Sequence, residues 1–144
     1  MTSSDNTLLR LRKSEHSLEQ VRKDLDAFLG NRFRAIDKNR IFLALEEALV
    51  NVFEHTYAQI DGLVEITMIH LPDRIRLELK DDGALFDPTT IPMPDPEALA
   101  ESGGDGGYGL FLMRSIMQVE HQTNPSGGNL LILEKRCPSM EGQK

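Results

Sequence analysis

The chain of 144 residues is long enough for one domain with a single hydrophobic core, and its 40% hydrophobic and 27% charged residues are typical of a folded protein. A formal net charge of −7, without long runs of Lys or Arg, argues against binding to nucleic acid or to an anionic membrane surface. The single cysteine, Cys137, excludes an intramolecular disulfide, and no Cys/His set has the spacing of a zinc site. The N-terminus lacks a basic segment followed by an apolar one, and no apolar run could cross a bilayer, so we expect a cytoplasmic protein.

The first half of the chain predicts a strand, two helices and a hairpin. Residues 7–13 alternate as a strand, and a helix follows that begins at Ser14 or Ser17 and stops at Gly30. Helical spacing of apolar residues predicts a second helix over about 37–57. Residues 63–71 and 75–80 read as the two strands of a β-hairpin.

The second half predicts a loop, a helix and another hairpin. Four prolines between Pro88 and Pro96 indicate a loop, the third helix covers about 108–119, and residues 120–136 form a hairpin around the PSGGN turn. Strands in adjacent pairs with interspersed helices predict an α+β, two-layer α/β sandwich with its helices on one face of the sheet. We expect one domain over 1–137 and a flexible tail over 138–144.

A polar ridge on the second helix is the first candidate for chemistry. Glu47 and Asn51 are four residues apart, with His55 four further on, so they line one edge of the apolar stripe. Their oxygen atoms could complete a Mg²⁺ shell and orient a nucleophile. From the spacing alone a solvated helix flank is the more common reading, and the spacing does not decide between the two.

Two further segments have the composition of ligand-binding loops. In DDGALFDP, Asp81 could accept a hydrogen bond from an exocyclic amine and Gly83 could let the backbone approach a flat ring, although an acidic turn has the same composition. In GGDGGYGL, the amides of Gly106, Gly107, Tyr108 and Gly109 could cradle phosphates at a helix N-terminus, or form a bare flexible loop. The segment matches neither a P-loop nor a dinucleotide fingerprint.

Taken in order, the segments EALVN, DDGALFDP and GGYGLFLMR resemble the N, G1 and G2 boxes of the GHKL ATPase/kinase superfamily. They are most similar to the small bacterial anti-sigma-factor serine/threonine kinases with a histidine-kinase-like ATPase domain. The resemblance covers about residues 8–136 and implies a Bergerat-type ATP-binding fold with a mixed, mostly antiparallel sheet. It also implies a mobile ATP lid at about 88–106.

The resemblance assigns a role to each matching residue. It implies that Glu47 is the general base, that Asn51 binds Mg²⁺, and that Asp81 reads the adenine amine. The remaining nucleotide-binding positions implied by the G1 and G2 boxes are Gly83, Phe86, Gly106, Gly107, Tyr108, Gly109 and Leu110.

The sequence departs from the family pattern at three places. Leu85 replaces a second G1 glycine, Gln118 replaces an acidic residue after the G2 helix, and Asn129 with Leu130 stand where some relatives have a threonine near the base. None of these positions is Glu47 or Asn51.

The implied activity is transfer of the γ-phosphoryl group of Mg²⁺·ATP to a serine or threonine of an anti-sigma factor antagonist. The unphosphorylated antagonist would compete with a sigma factor for this protein, so partner switching would regulate bacterial transcription. The alternative is a nucleotide-binding module that sequesters a partner with little or no kinase activity. The family also suggests a homodimer, without contact to nucleic acid or membrane.

Overall fold

The computed structural model describes residues 6–14, 17–57, 61–90, 108–125 and 127–138, with only the backbone described at 55 and 108. Three helices are described: α1 (Leu18–Leu29), α2 (Ala35–Asn51) and α3 (Tyr108–Ile116). The strands are β1 (Thr7–Arg12), β2 (Leu63–His70), β3 (Arg74–Asp81), β4 (Gln118–Thr123) and β5 (Asn129–Arg136). A π-helical turn, Val52–Thr56, follows α2, and a 3-10 turn, Pro88–Thr90, follows β3.

The described strands form one sheet in the order β1-β2-β3-β5-β4, and each neighbouring pair is antiparallel. The register pairs Asp81, the last residue of β3, with Asn129, the first residue of β5. Asn129 also pairs with Thr123 at the end of β4. Three strand ends therefore meet at one edge of the sheet.

One face of the sheet packs against the helices. Strands β2 and β3 alternate buried apolar residues with partly exposed polar ones, as a sheet covered on one face requires. The central buried residues of both layers are Leu25, Leu29, Ile41, Leu45, Leu49, Ile66, Met68, Ile75, Leu77, Leu79 and Met113. The predicted α+β two-layer sandwich is confirmed.

The first helix begins and ends at residues suited to those positions. Ser17, one of the two predicted starting residues, accepts a hydrogen bond from the backbone N–H of Gln20 at 3.2 Å. Gly30 ends α1 with φ 54°, a conformation open to glycine, and its N–H donates to Asp26 O at 3.0 Å.

The later boundaries differ from the prediction. The third helix, predicted to reach residue 119, ends at Ile116, and β4 already begins at Gln118. The apolar run there also suits a strand: Val119 turns towards the core while its neighbours are exposed, and the backbone pairs with β5. The second helix begins at Ala35 rather than 37, and its predicted last turn is π-helical. Most of the predicted lid at 88–106, and the tail beyond Pro138, lie outside the described residues.

Candidate functional site

The polar edge of α2 ends at an irregular turn. Glu47 and Asn51 are partly exposed, one helical turn apart, beside the buried residues Ala48 and Leu49. The π-helical turn begins at the next residue, and the N–H of Tyr57 donates to Val52 O at 3.0 Å. Such turns are frequent at functional sites.

Glu47 lies against the start of α3. A Cβ atom added to Gly109 would collide with Glu47 Oε1 and lie 2.9 Å from Glu47 Cδ, so this carboxylate occupies the space that a side chain at 109 would need. Partial burial raises the pKa of Glu47, and the neighbouring carboxylates Glu46 and Glu54 raise it further. The arrangement places a carboxylate of increased basicity at the N-terminal turn of α3.

Asp81 is buried at the edge where the strand ends meet, with 4% of its surface exposed. Its Oδ1 accepts two hydrogen bonds of 3.0 Å, from the N–H of Gly83 and from Asn129 Nδ2. Burial raises the pKa of Asp81, although these hydrogen bonds oppose the shift. Both of these hydrogen bonds end on Oδ1, and the backbone of Asn129 contributes a further hydrogen bond to the carboxylate.

Gly83 is packed against Tyr57. A Cβ atom at Gly83 would collide with Thr56 Cγ2 and lie 2.7 Å and 2.9 Å from Tyr57 Cε1 and Cδ1. Tyr57 is fixed in turn, because its hydroxyl donates to Asp82 Oδ1 at 2.7 Å and accepts from the Asp82 N–H at 3.0 Å. Packing inside the protein therefore requires glycine at 83, whatever the residue does for a ligand.

Asp81 and Asn51 line the same crevice, which also includes Phe86, Pro88 and Asn129. Its volume is about 10 Å³, roughly the space of one water molecule, so a purine could enter only after the lining residues had rearranged. Two larger grooves, of about 290 and 360 Å³, lie elsewhere. None of the residues that line them is a predicted site residue, and neither groove brings together the carboxylates and amides described above.

Residues 11–135 match the family model described as a histidine kinase-like ATPase domain. The chain belongs to the histidine kinase-like ATPase domain family.

Two relatives of this ATPase domain carry names that specify an activity. Serine/threonine-protein kinase BtrW of Bordetella bronchiseptica is 28% identical over 106 residues, which make up 73% of this chain and 75% of BtrW. Serine-protein kinase RsbW of Staphylococcus aureus is 32% identical over 81 residues, 52% of this chain and 51% of RsbW. The match thus spans about half of the length of RsbW.

The G2 segment of the histidine kinase-like ATPase domain is described in part. Tyr108 and Gly109 begin α3, and Leu110 is buried in the core with 5% of its surface exposed, so the side chain of Leu110 serves packing. Gly106 and Gly107 lie outside the described residues. Their contribution to phosphate binding stays a prediction.

The oxygen donors at the site suit Mg²⁺. Glu47 and Asn51 offer oxygen atoms on one helix flank, and Mg²⁺ takes one or two such protein ligands beside substrate phosphates and water. Within the described ranges, no group of three or more His, Cys, Asp or Glu side chains could hold a metal ion. A metal ion at this helix flank would need ligands beyond Glu47 and Asn51.

Asn129, named above as a departure from the family pattern near the base, contacts Asp81, and His121, which the sequence did not single out, contacts Asn129. His121 Nε2 is 2.7 Å from Asn129 Oδ1, and the same Asn129 amide binds Asp81. The strand pattern could have indicated both residues, because each is a polar residue at a core-facing position of its strand, His121 in β4 and Asn129 in β5.

No helix in the part of the chain described by the structure is both long and apolar enough to span a membrane.

Proposed function

We propose that this protein transfers the γ-phosphoryl group of Mg²⁺·ATP to a serine or threonine of a protein partner, an antagonist of its action as an anti-sigma factor. The observation that carries the proposal is the position of Glu47. In a histidine kinase-like ATPase domain, this carboxylate lies at the first turn of α3, one helical turn from Asn51, and burial makes it more basic. Relatives named as serine and serine/threonine kinases support the same activity.

Glu47 acts as the general base. Its carboxylate accepts the proton of the attacking hydroxyl while the oxygen of that hydroxyl bonds to the γ-phosphorus. The raised pKa increases the proton affinity of the carboxylate, which favours its use as a base. Because Gly109 has no side chain, the carboxylate can approach the start of α3, where helix amides attract phosphate.

Asn51 and Asp81 position the nucleotide at its two ends. The side-chain oxygen of Asn51 would hold Mg²⁺, which, when bound, neutralises charge on the phosphate oxygens. Asp81 Oδ2 accepts a hydrogen bond from the exocyclic amine of adenine, while Oδ1 stays bound to Gly83 and Asn129. Both side chains line one crevice, so one nucleotide could reach both.

The test is a capture experiment from a lysate of the source cell, with the tagged protein loaded with Mg²⁺·ADP in one arm and Mg²⁺·ATP in the other. We expect one protein to be retained with ADP and to acquire a phosphoserine or phosphothreonine with ATP, as read by mass spectrometry. The matched control is Glu47→Gln, which should retain the same protein without the new phosphate.

Two outcomes would contradict the proposal. Retention of a sigma factor or another regulator, with no new phosphosite under ATP, would favour a module that only sequesters its partner. A phosphosite that appears equally with Glu47→Gln would remove Glu47 from the role of base.

A further inference from the structure

Asn129 has the hydrogen bonds of its side-chain amide completely satisfied. Its Nδ2 donates to Asp81 Oδ1 at 3.0 Å and to Ala84 O at 2.9 Å. Its Oδ1 accepts from the N–H of Phe86 at 3.0 Å and lies 2.7 Å from His121 Nε2. A carboxamide offers two donors and two acceptor lone pairs, so no further hydrogen bond is possible. The residue is only 3% exposed, so solvent competes little for these hydrogen bonds.

Backbone groups fix the orientation of this amide. A backbone N–H can only donate and a carbonyl can only accept, so Phe86 must face the oxygen of Asn129 and Ala84 must face its nitrogen. His121 Nε2 therefore faces an oxygen and must carry a proton. The Asn129 NH₂ group, for its part, must point at Asp81.

The other nitrogen of His121 faces the turn that follows β3. His121 Nδ1 lies 3.5 Å from Asp87 Oδ2, and the His121 side chain is 8% exposed. Asp87 Oδ1 accepts from the N–H of Thr89 at 2.8 Å and also from its hydroxyl, so this carboxylate holds the 3-10 turn Pro88–Thr90. Burial opposes ionisation of Asp87, but the Thr89 hydrogen bonds and the nearby His121 outweigh it and lower the pKa of Asp87.

The side chains of Asp81, Asn129, His121 and Asp87 thus form one chain of contacts between two sides of the crevice. Asp81 lies at one end of it, and Phe86 and Pro88, which also line the crevice, lie on the segment held at the other end. Phe86 is anchored to Asn129 Oδ1 through its backbone N–H.

We propose that Asn129 and His121 are positioning residues for purine recognition. His121 donates to Asn129, the Asn129 amide holds Asp81 Oδ1, and Asp81 Oδ2 is thereby presented to the exocyclic amine of the base. Asp87, whose Oδ2 lies 3.5 Å from His121 Nδ1, adjoins this arrangement and also holds the turn Pro88–Thr90. The inference rests on the proposed function, because it takes Asp81 as the residue that reads adenine.

Two substitutions of His121 test the roles of its two ring nitrogens separately. In His121→Gln the amide nitrogen can occupy the place of Nε2 and donate to Asn129. In His121→Asn the shorter amide reaches only the place of Nδ1, so the donor to Asn129 is lost. The readout is the dissociation constant of Mg²⁺·IDP (inosine diphosphate) divided by that of Mg²⁺·ADP, both measured by calorimetry on the full chain. Because the base of IDP lacks the exocyclic amine of adenine, this ratio reports how strongly the site recognises that amine.

We expect His121→Gln to keep the wild-type ratio within about twofold and His121→Asn to reduce it by about three- to tenfold, the value of one hydrogen bond. Equal ratios in the two variants would overturn the inference while leaving ADP binding, and with it the proposed function, in place. A wild-type chain that binds neither nucleotide would overturn both.

A measurement on the wild-type chain without nucleotide covers the case in which a variant does not fold. Long-range ¹H–¹⁵N spectra should show a proton on His121 Nε2, and the NH₂ protons of Asn129 should exchange slowly with solvent. A His121 ring protonated at Nδ1 alone, or an Asn129 amide that exchanges freely, would overturn the inference.

Discussion

The contact between Gly109 and Glu47 predicts that a single methyl group disables catalysis with little loss of stability. In Gly109→Ala, the new Cβ would collide with Glu47 Oε1 and approach Glu47 Cδ to 2.9 Å and Cγ to 3.5 Å. The colliding atom is the tip of a flexible side chain, so Glu47 can rotate away and the backbone can stay in place. A displaced rotamer costs about 0.5–1.5 kcal/mol, and alanine regains up to about 1 kcal/mol over glycine within a helix. The free energy of unfolding should therefore fall by no more than about 1.5 kcal/mol.

The effect on the reaction should be much larger. A positioned general base contributes roughly 10²- to 10⁴-fold to the rate, and a base that has rotated away loses most of that factor. We expect single-turnover transfer of labelled γ-phosphate to the captured partner, at saturating Mg²⁺·ATP, to slow by at least about 10²-fold, equivalent to about 2.7 kcal/mol in the activation barrier. In a Glu47→Gln background, Gly109→Ala should cost little more, because both changes remove the same group.

The matched control is Gly30→Ala at the end of α1. Gly30 has φ 54° and ψ −126°, and among the described residues no atom lies closer to its added Cβ than Ala27 O at 3.9 Å, so the cost is backbone strain of about 1–3 kcal/mol. This control should lower the melting temperature while leaving the transfer rate unchanged. A Gly109→Ala variant with the wild-type rate would refute the reasoning, and so would a loss of rate in Gly30→Ala as large as in Gly109→Ala.

Three further predictions follow from the same site. Glu47→Gln should melt at the wild-type temperature or above it. The raised pKa of Glu47 means that the folded state binds its proton more tightly than the unfolded state does, so above the ordinary pKa of 4.5 the ionised group lowers stability, by up to about 1 kcal/mol for a partly exposed side chain. A marked fall in melting temperature would contradict this. The rate of phosphoryl transfer in the wild type should fall on acidification at a pH above 4.5, since protonation removes the base, and a pH–rate profile flat down to 4.5 would argue against Glu47. Gly83→Ala should destabilise the fold by about 1–3 kcal/mol in urea unfolding, because the Tyr57 ring is held by its hydroxyl and cannot yield; an unchanged midpoint would mean that the ring is free to move.

Local patterns in the sequence were sufficient to predict the layers of the fold and the elements that carry the site. Helical spacing placed Glu47 and Asn51 on one flank of α2, because positions four apart necessarily share a face. Asp81 could be placed at the end of a strand for the same kind of local reason. The length of α3 could not be predicted, since the run through Met117 and Val119 fits a helix by apolar content and becomes a strand by pairing with β5.

Contacts between distant segments were beyond the reach of local patterns. Glu47 and Gly109 are 62 positions apart by subtraction of their residue numbers, and only the packing of α3 against α2 brings them together. The sequence also suggested that Gly83 lets backbone approach a ligand ring, whereas the ring that it contacts within the structure is Tyr57. The hydrogen bond between His121 and Asn129 depends on the register of β4 with β5, which no single strand specifies.

The measurement that tests the central claim most directly is transfer of labelled γ-phosphate from Mg²⁺·ATP to the purified captured partner, with wild-type protein and Glu47→Gln compared at saturating nucleotide. The account predicts a stoichiometric phosphoserine or phosphothreonine with the wild type and a rate at least about 10²-fold lower with Glu47→Gln, while both proteins bind Mg²⁺·ADP with similar affinity. Transfer by Glu47→Gln at the wild-type rate, or no transfer by a wild type that binds both nucleotide and partner, would contradict it.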